Sequence, residues 1–377
     1  MQQGDTVDSI AAAFGVAVGE LIYTNQLIYP YRLAVGQAML IPGVAGLEPF
    51  GRAAANNGYA YTFINEEILQ ESLRYLSELS IFSYGFGYDG ALVPPPQDDG
   101  WMIAAARQAA VRPILTLTPF GPDGKFNNYL ISSVLADASA RQRLLDELAA
   151  TVQAKGYDGI DVDFEYILAS DRDAFTQFVA DLAEVMHRQG ATLSVALAPK
   201  TSADQPGLLY EGIDYAALGA VVDYVLLMTY EWGYTYSAPQ PVAPLNWMRR
   251  VLDYAVTEIP PEKIYLGIAN YAYDWTLPYV QGESMARSFG GVEAMRLAAD
   301  TGAEIFFDET ASSPYFNYWQ DGVRHEVWFE DVRSFAGKFG LINEYGLRGG
   351  GWWQIMRLFR AGFILAAYLF DITKTEF

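Results

Sequence analysis

The chain has 377 residues, 51% hydrophobic and 15% aromatic, enough to bury a large core and more than one minimal domain requires. A formal net charge of −21, without clusters of Lys and Arg, argues against nucleic acid and anionic lipid as partners and leaves a neutral or cationic ligand. The absence of cysteine removes disulfide and thiolate chemistry. The two histidines, His187 and His325, have flanks without metal-ligand spacing, so neither is given a role, and no metal or cofactor is expected.

The start, "MQQGDTVDSI", is polar and acidic, so no cleaved export signal is expected. "GDTVDSIAAAFGV" offers Asp5 or Thr6 as the cap of a first short helix, "AVGELIYTNQL" predicts a second, and "LAVGQAMLIP" a closing strand. This order, with Gly4-Asp5-Thr6 in front and Leu40-Ile41-Pro42 behind, resembles a LysM module, a small β-α-α-β carbohydrate-binding unit. Its first strand is cut to Met1, Gln2 and Gln3. A helical cap that binds nothing is the other reading. The module is assigned residues 1–43 and a linker residues 44–55, with the remainder, 56–377, as one large domain.

From Asn56 onward, short apolar runs alternate with amphipathic stretches, the pattern of βα units around a parallel sheet. Candidate strands start with "GYAYTFI" at 58, "LSIFSYGF" at 79, "RPILTLTPF" at 112 and "GIDVDFEY" at 159. "TLSVALAP" at 192, "YVLLMTYE" at 224, "KIYLGIANYAY" at 263 and "GGGWWQI" at 349 complete the set. Helices such as "DASARQRLLDELAATVQAKG" lie between them. Repetition of this kind predicts a (β/α)8 TIM barrel, with an α+β insertion over about residues 276–333 between the seventh and eighth strands. Turn signals at Ser312-Ser313-Pro314 and Asp321-Gly322 mark a hairpin within it. The apolar run "AGFILAAYLF", Ala361 to Phe370, is too short to span a bilayer and predicts a core helix.

The fourth run carries the chemistry. Alternation on a strand puts Asp161, Asp163 and Glu165 on one face and Ile160, Val162 and Phe164 on the other. The acids then line the barrel, with Glu165 nearest the carboxyl end where barrel enzymes place reacting groups. Like charges crowded in a partly desolvated space cannot all ionise, so at least one should hold its proton near neutral pH and act as a general acid. Cleavage of a glycosidic bond needs such an acid.

The motif Asp158-Gly-Ile-Asp161-Val-Asp163-Phe-Glu165 resembles the signature of glycoside hydrolase family 18, the chitinase-like family. "LLMTYEW" is similar to the family's Met-x-Tyr element, with Met228 and Tyr230 in place and Glu231 where many chitinases carry Asp. "GGGWWQI" supplies the aromatic floor under the sugar, with Trp353 chosen over Trp352. The resemblance implies a retaining mechanism in which the 2-acetamido oxygen of the substrate is the nucleophile. Glu165 would be acid and base, Asp163 would grip the acetamido N–H, Tyr230 would hold its oxygen, and Asp161 would share charge with Asp163. Met228, Glu231, Trp353 and Tyr84 are the substrate-binding candidates.

Longer blocks, "SVALAPKTSADQPGLLYEGIDYAALG", "VAPLNWMRRVLDYAV" and "HEVWFEDVRSF", resemble the cortex-lytic branch of the family, spore-associated N-acetylglucosaminidases that join LysM modules to this barrel. The resemblance implies cleavage after N-acetylglucosamine in spore-cortex peptidoglycan, and a place in the spore coat, cortex or cell wall. A general chitinase with the same residues is the first alternative. A non-catalytic wall or spore-coat protein that only holds glycan is the second.

Overall fold

The computed structural model describes residues 1–43, 46–121 and 124–375; residues 44 and 45 of the expected linker lie outside these. Eight parallel strands form the centre: β1 Ala53–Tyr61, β2 Glu78–Phe86, β3 Arg112–Leu117, β4 Gly159–Val162, β5 Thr192–Leu197, β6 Tyr224–Leu227, β7 Ile264–Ala269 and β8 Gly349–Trp353. Each pairs with the next, and β8 returns to β1 with Ala55 opposite Gly349, so the barrel is closed. The approach at that seam is tight: a Cβ on Gly349 would fall 1.7 Å from the Ala55 carbonyl oxygen. The expected barrel is therefore present, although β1 begins at Ala53, inside the stretch read as linker.

Two apolar layers follow from strand alternation. Ile160, Val162 and Phe164 face outward, where Phe164 packs on Phe175 and Phe178 of the helix Arg172–Arg188. Inward, Ala55, Tyr59, Phe82, Ala196, Tyr224, Leu226 and Tyr265 fill the barrel, so it is a packed core and not a channel. Its amino-terminal end is polar. There the buried Glu78 accepts hydrogen bonds from Arg112 (3.0 Å) and from the Tyr265 hydroxyl (3.0 Å), which satisfies both carboxylate oxygens.

Local chemistry explains the helices. In the helix Ala138–Lys155, the Asp137 side chain accepts from the amides of Ser139 and Ala140 at the start, and Gly156 closes the end at φ 77°. The helix Arg360–Leu369 contains most of the apolar run near the C-terminus and is largely buried. No single helix among the described residues is long and apolar enough to cross a membrane.

The run "KIYLGIANYAY" does not form one strand. It breaks at Asn270, whose side-chain amide donates to the carbonyls of Gln354 and Arg357, and its second half enters the insertion as Ala272–Leu277. That strand joins Arg287–Phe289, Phe306–Asp308, Ser313–Gln320 and Val323–Trp328 in a five-stranded antiparallel sheet, accompanied by the helix Gly291–Thr301. Asp321 and Gly322, both at positive φ, make the hairpin turn as read; Pro314 lies inside a strand.

At the N-terminus two helices, Val7–Phe14 and Val18–Thr24, share a small core of Val7, Ile10, Ala11 and Leu21. Thr6, not Asp5, is the cap, bonded reciprocally with Ser9. The closing strand expected over 33–42 is not paired as one. The Asn25 side chain takes the place of a strand neighbour, accepting from the Leu40 amide and donating to its carbonyl, each at 2.8 Å.

This module rests against the barrel. Arg360 stacks on Tyr23 at 3.9 Å and pairs with Glu71, while the Ile305 amide donates to Val35. Gly36 sits at φ 79°, and a Cβ there would fall 1.9 Å from the Ile305 carbonyl oxygen. Gly36→Ala should therefore loosen the docking at a cost of about 1 kcal/mol or more. Small-angle scattering should report an increased radius of gyration; an unchanged radius would show that the contact does not hold the module.

Candidate active site

The strand carrying the acids ends at Val162, earlier than the sequence pattern suggests, but the Asp163 amide still donates to Leu117 at 2.9 Å. The three acids thus climb from the barrel interior to its carboxyl-terminal mouth. They open into a cavity of about 510 Å³ lined by Asp163, Glu165, Met228, Tyr230, Glu231 and Trp353, with further walls from Tyr210 and Trp232. That volume lies within the range of about 300–1,000 Å³ usual for small-ligand sites.

Asp161 is deepest. It is fully buried and accepts from the Tyr59 hydroxyl at 2.9 Å and the Ser194 hydroxyl at 2.6 Å. Those donors favour its charge, but burial outweighs them and its carboxyl is pushed up to about 6, with Glu78 adding a like charge from below. Asp163 is raised well above the ordinary carboxylate range, first by burial and then by the charges of Glu165 and Asp161. Its Oδ1 is buried with no hydrogen-bond partner among the described residues. Glu165 is pushed up to about 7, by burial first and by the Glu231 charge second.

Tyr230 stands beside these acids, buried, with its ring against Tyr271. Glu231 follows at φ 66°, a left-handed conformation that costs about 1–3 kcal/mol in a residue with a side chain, and accepts from the Tyr273 hydroxyl at 2.9 Å. Tyr166, next to Glu165, is left-handed as well at φ 57°. The chain therefore turns sharply at the mouth on both β4 and β6.

Alternation along β8 separates the two tryptophans. Trp352 is fully buried on the outer side against Phe335 and Phe363. Trp353 lines the cavity, held by Phe82 at 4.9 Å, Tyr59 at 5.7 Å and Tyr61 at 6.2 Å, all edge to face.

Seven of the eight predicted site residues are thus brought to one place, Asp161 as the base of the acid ladder and six on the cavity wall. Tyr84 is the correction. The pairing of β2 with β3 shifts register between Ile81 and Tyr84, and Tyr84 points outward, buried, with its hydroxyl donating to Asp99 at 2.7 Å beside Tyr157 and Lys155. Sequence reasoning passed over Tyr59 and Ser194, although alternation on "GYAYTFI" and "TLSVALAP" faces both inward. Tyr210 and Trp232 lie beyond strand ends, where no periodicity marks them. Among the described residues no group of three or more His, Cys, Asp or Glu is placed to hold a metal ion.

Glu165 binds its proton more tightly in the folded chain than its ordinary value of 4.5. The stability this gives is fully present below about 4.5 and is lost as pH rises through about 7. Glu165→Gln should therefore raise the melting temperature at pH 8, by about 2–4 °C, with a smaller gain at pH 5. Equal gains at both pH values in a calorimetric comparison would contradict the buried, protonated carboxyl.

Residues 114–357 match the model for Glycosyl hydrolases family 18, and residues 2–42 match the LysM domain. The cortical fragment-lytic enzyme of Bacillus subtilis is 37% identical, with 100% of this chain and 99% of that protein covered. The crystal structure of the spore cortex-lytic enzyme SleL from Bacillus megaterium aligns with a TM-score of 0.92 at 31% identity, covering 100% of this chain and 98% of that one. A chitinase from Chromobacterium violaceum aligns at 0.78 and 28% identity, covering 84% and 98%.

Proposed function

The chain belongs to glycosyl hydrolase family 18 and is a glycoside hydrolase, and on that premise we propose that it cleaves β-1,4 linkages after N-acetylglucosamine in spore-cortex peptidoglycan or its fragments. The observation that carries the mechanism is the pairing of a buried Asp163 oxygen, without a partner among the described residues, with a Glu165 carboxyl pushed up to about 7, beside the Trp353 ring. The cortex as substrate is supported by the relatives named for cortex lysis, which match the whole chain. A LysM module on the same chain supports action at a glycan matrix, in the spore cortex or cell wall.

In this reading a sugar lies over Trp353 with its 2-acetamido group directed at Asp163 and Tyr230. Glu165 gives its proton to the glycosidic oxygen as the bond from that oxygen to C1 breaks. The acetamido carbonyl oxygen bonds to C1 from the opposite face, so no protein nucleophile is required. Asp163 accepts the acetamido N–H and balances the positive charge of the oxazolinium-like ring, while the Tyr230 hydroxyl donates to the acetamido oxygen. Water then attacks C1 as the bond from C1 to the acetamido oxygen breaks, Glu165 takes up the proton of the water, and the second inversion restores the original configuration. Asp161, held by Tyr59 and Ser194, offers Asp163 a neighbour with which to share a proton. Burial raises the Glu231 carboxyl as well, and when ionised it places a like charge near Glu165, which helps hold the Glu165 proton until the transfer.

Glu165→Gln should lower kcat about 10³-fold while glycan binding persists, and Asp163→Asn should lower kcat about 10²-fold. Near-native turnover by the Glu165→Gln protein would overturn the mechanism. Mass spectrometry of digested cortex fragments should show products ending in reducing N-acetylglucosamine. Chitooligosaccharides run in parallel decide the second reading, which the likeness to a chitinase favours: cleavage of these alone would make the protein a general chitinase.

A further inference from the structure

A second hollow of about 260 Å³ adjoins the first, and Trp232 lines both. One side is the loop after β6, folded back on itself: the Trp232 amide donates to Val242, the Gly233 amide to Pro241, and the Gln240 side chain to the Trp232 carbonyl at 2.7 Å. Facing it is the turn of the insertion that follows Phe306–Asp308. There Asp308 accepts from the amides of Thr310 and Ala311, and the Leu245 amide bonds the Ala311 carbonyl. Both walls are thus tied by their own hydrogen bonds before any ligand arrives. Between them Trp247 is 42% exposed, with the Arg250 guanidinium over its ring at 4.5 Å.

The geometry points to an additional saccharide subsite here, for the unit of the glycan next beyond those held in the catalytic cleft, with Trp247 as its apolar platform. This deepens the proposed function and rests on its reading of the first cavity as the glycan cleft. Three observations carry it. The hollow shares Trp232 with the cleft, so a chain leaving the cleft over that ring reaches it. Its size is below the range of about 300–1,000 Å³ for a whole small ligand, which suits one sugar ring. Its lining presents a large aromatic surface with amide, hydroxyl and carboxylate groups from Gln240, Asn246, Thr310 and Asp308, the mixture of apolar face and polar rim that a sugar offers in return. Asp308 is the one carboxylate among the described lining residues, and Arg250 stands over the Trp247 ring, so the two charges offset and the hollow suits an uncharged N-acetylglucosamine-type ring.

The test uses the full chain carrying Glu165→Gln, so that binding is read without turnover, with the di- and hexasaccharides of N-acetylglucosamine as probes in calorimetry. The hexasaccharide should bind about 10-fold more tightly than the disaccharide. Adding Trp247→Ala should remove most of that gain, while Trp247→Phe should keep it. Length-dependent affinity that survives Trp247→Ala would come from the LysM module and would overturn the subsite, as would equal binding of both probes. Failure of the catalytic reading would appear separately, as absence of turnover by the native chain on cortex fragments and chitooligosaccharides.

Discussion

Three carboxyl groups share one face of β4 and its extension, and desolvation is the constraint from which the rest of the site follows. Placing Asp161, Asp163 and Glu165 in the barrel costs free energy in their charged forms, and among the described residues no Lys or Arg lines the cavity to offset it. The molecule answers differently at each depth. Asp161 receives two hydroxyl donors. Asp163 is left with an oxygen that has no partner among the described residues, and Glu165 keeps its proton toward neutral pH. The same burial that weakens the fold creates the gradient of proton affinity that acid–base work requires.

Rigid surroundings make that gradient usable. Trp353 is held by three aromatic rings from β1 and β2, and Tyr230 and Glu231 are presented from β6 by a chain that turns through a left-handed residue. The groups that meet a ligand therefore come from strand ends of one closed barrel. The opposite end of that barrel is sealed by Glu78, Arg112 and Tyr265. Stability and chemistry occupy different ends of the same eight strands, as parallel barrels generally arrange them.

Strand alternation made much of this legible beforehand. The period of two on "GIDVDFEY" placed the acids inside and Phe164 outside, while the choice of Trp353 over Trp352 came from the family resemblance, with which alternation along β8 agrees. Tyr84 was misplaced because a register shift in β2 interrupts the period at that point, and nothing in "LSIFSYGF" signals it. The break at Asn270 was hidden for a related reason: apolar residues continue across it, while the cause lies in carbonyls contributed by Gln354 and Arg357, far along the chain. Loop residues such as Tyr210 and Trp232 carry no local pattern, since only closure of the barrel brings them to the cavity. In the N-terminal module, Asn25 replaces strand pairing with side-chain bonds, which hydrophobic periodicity cannot register.

The seating of that module on the barrel alters how the two parts work together. A module on a slack tether searches a volume, and its benefit is an effective concentration that falls as the tether lengthens. Here Arg360 clamps Tyr23, and Gly36 lies flush against Ile305, so the module's surface stands at one set span and bearing from the mouth of the barrel. The pair behaves as a caliper. A glycan strand would reach both jaws only by a path that matches that span, a condition of shape that a slack tether would not impose.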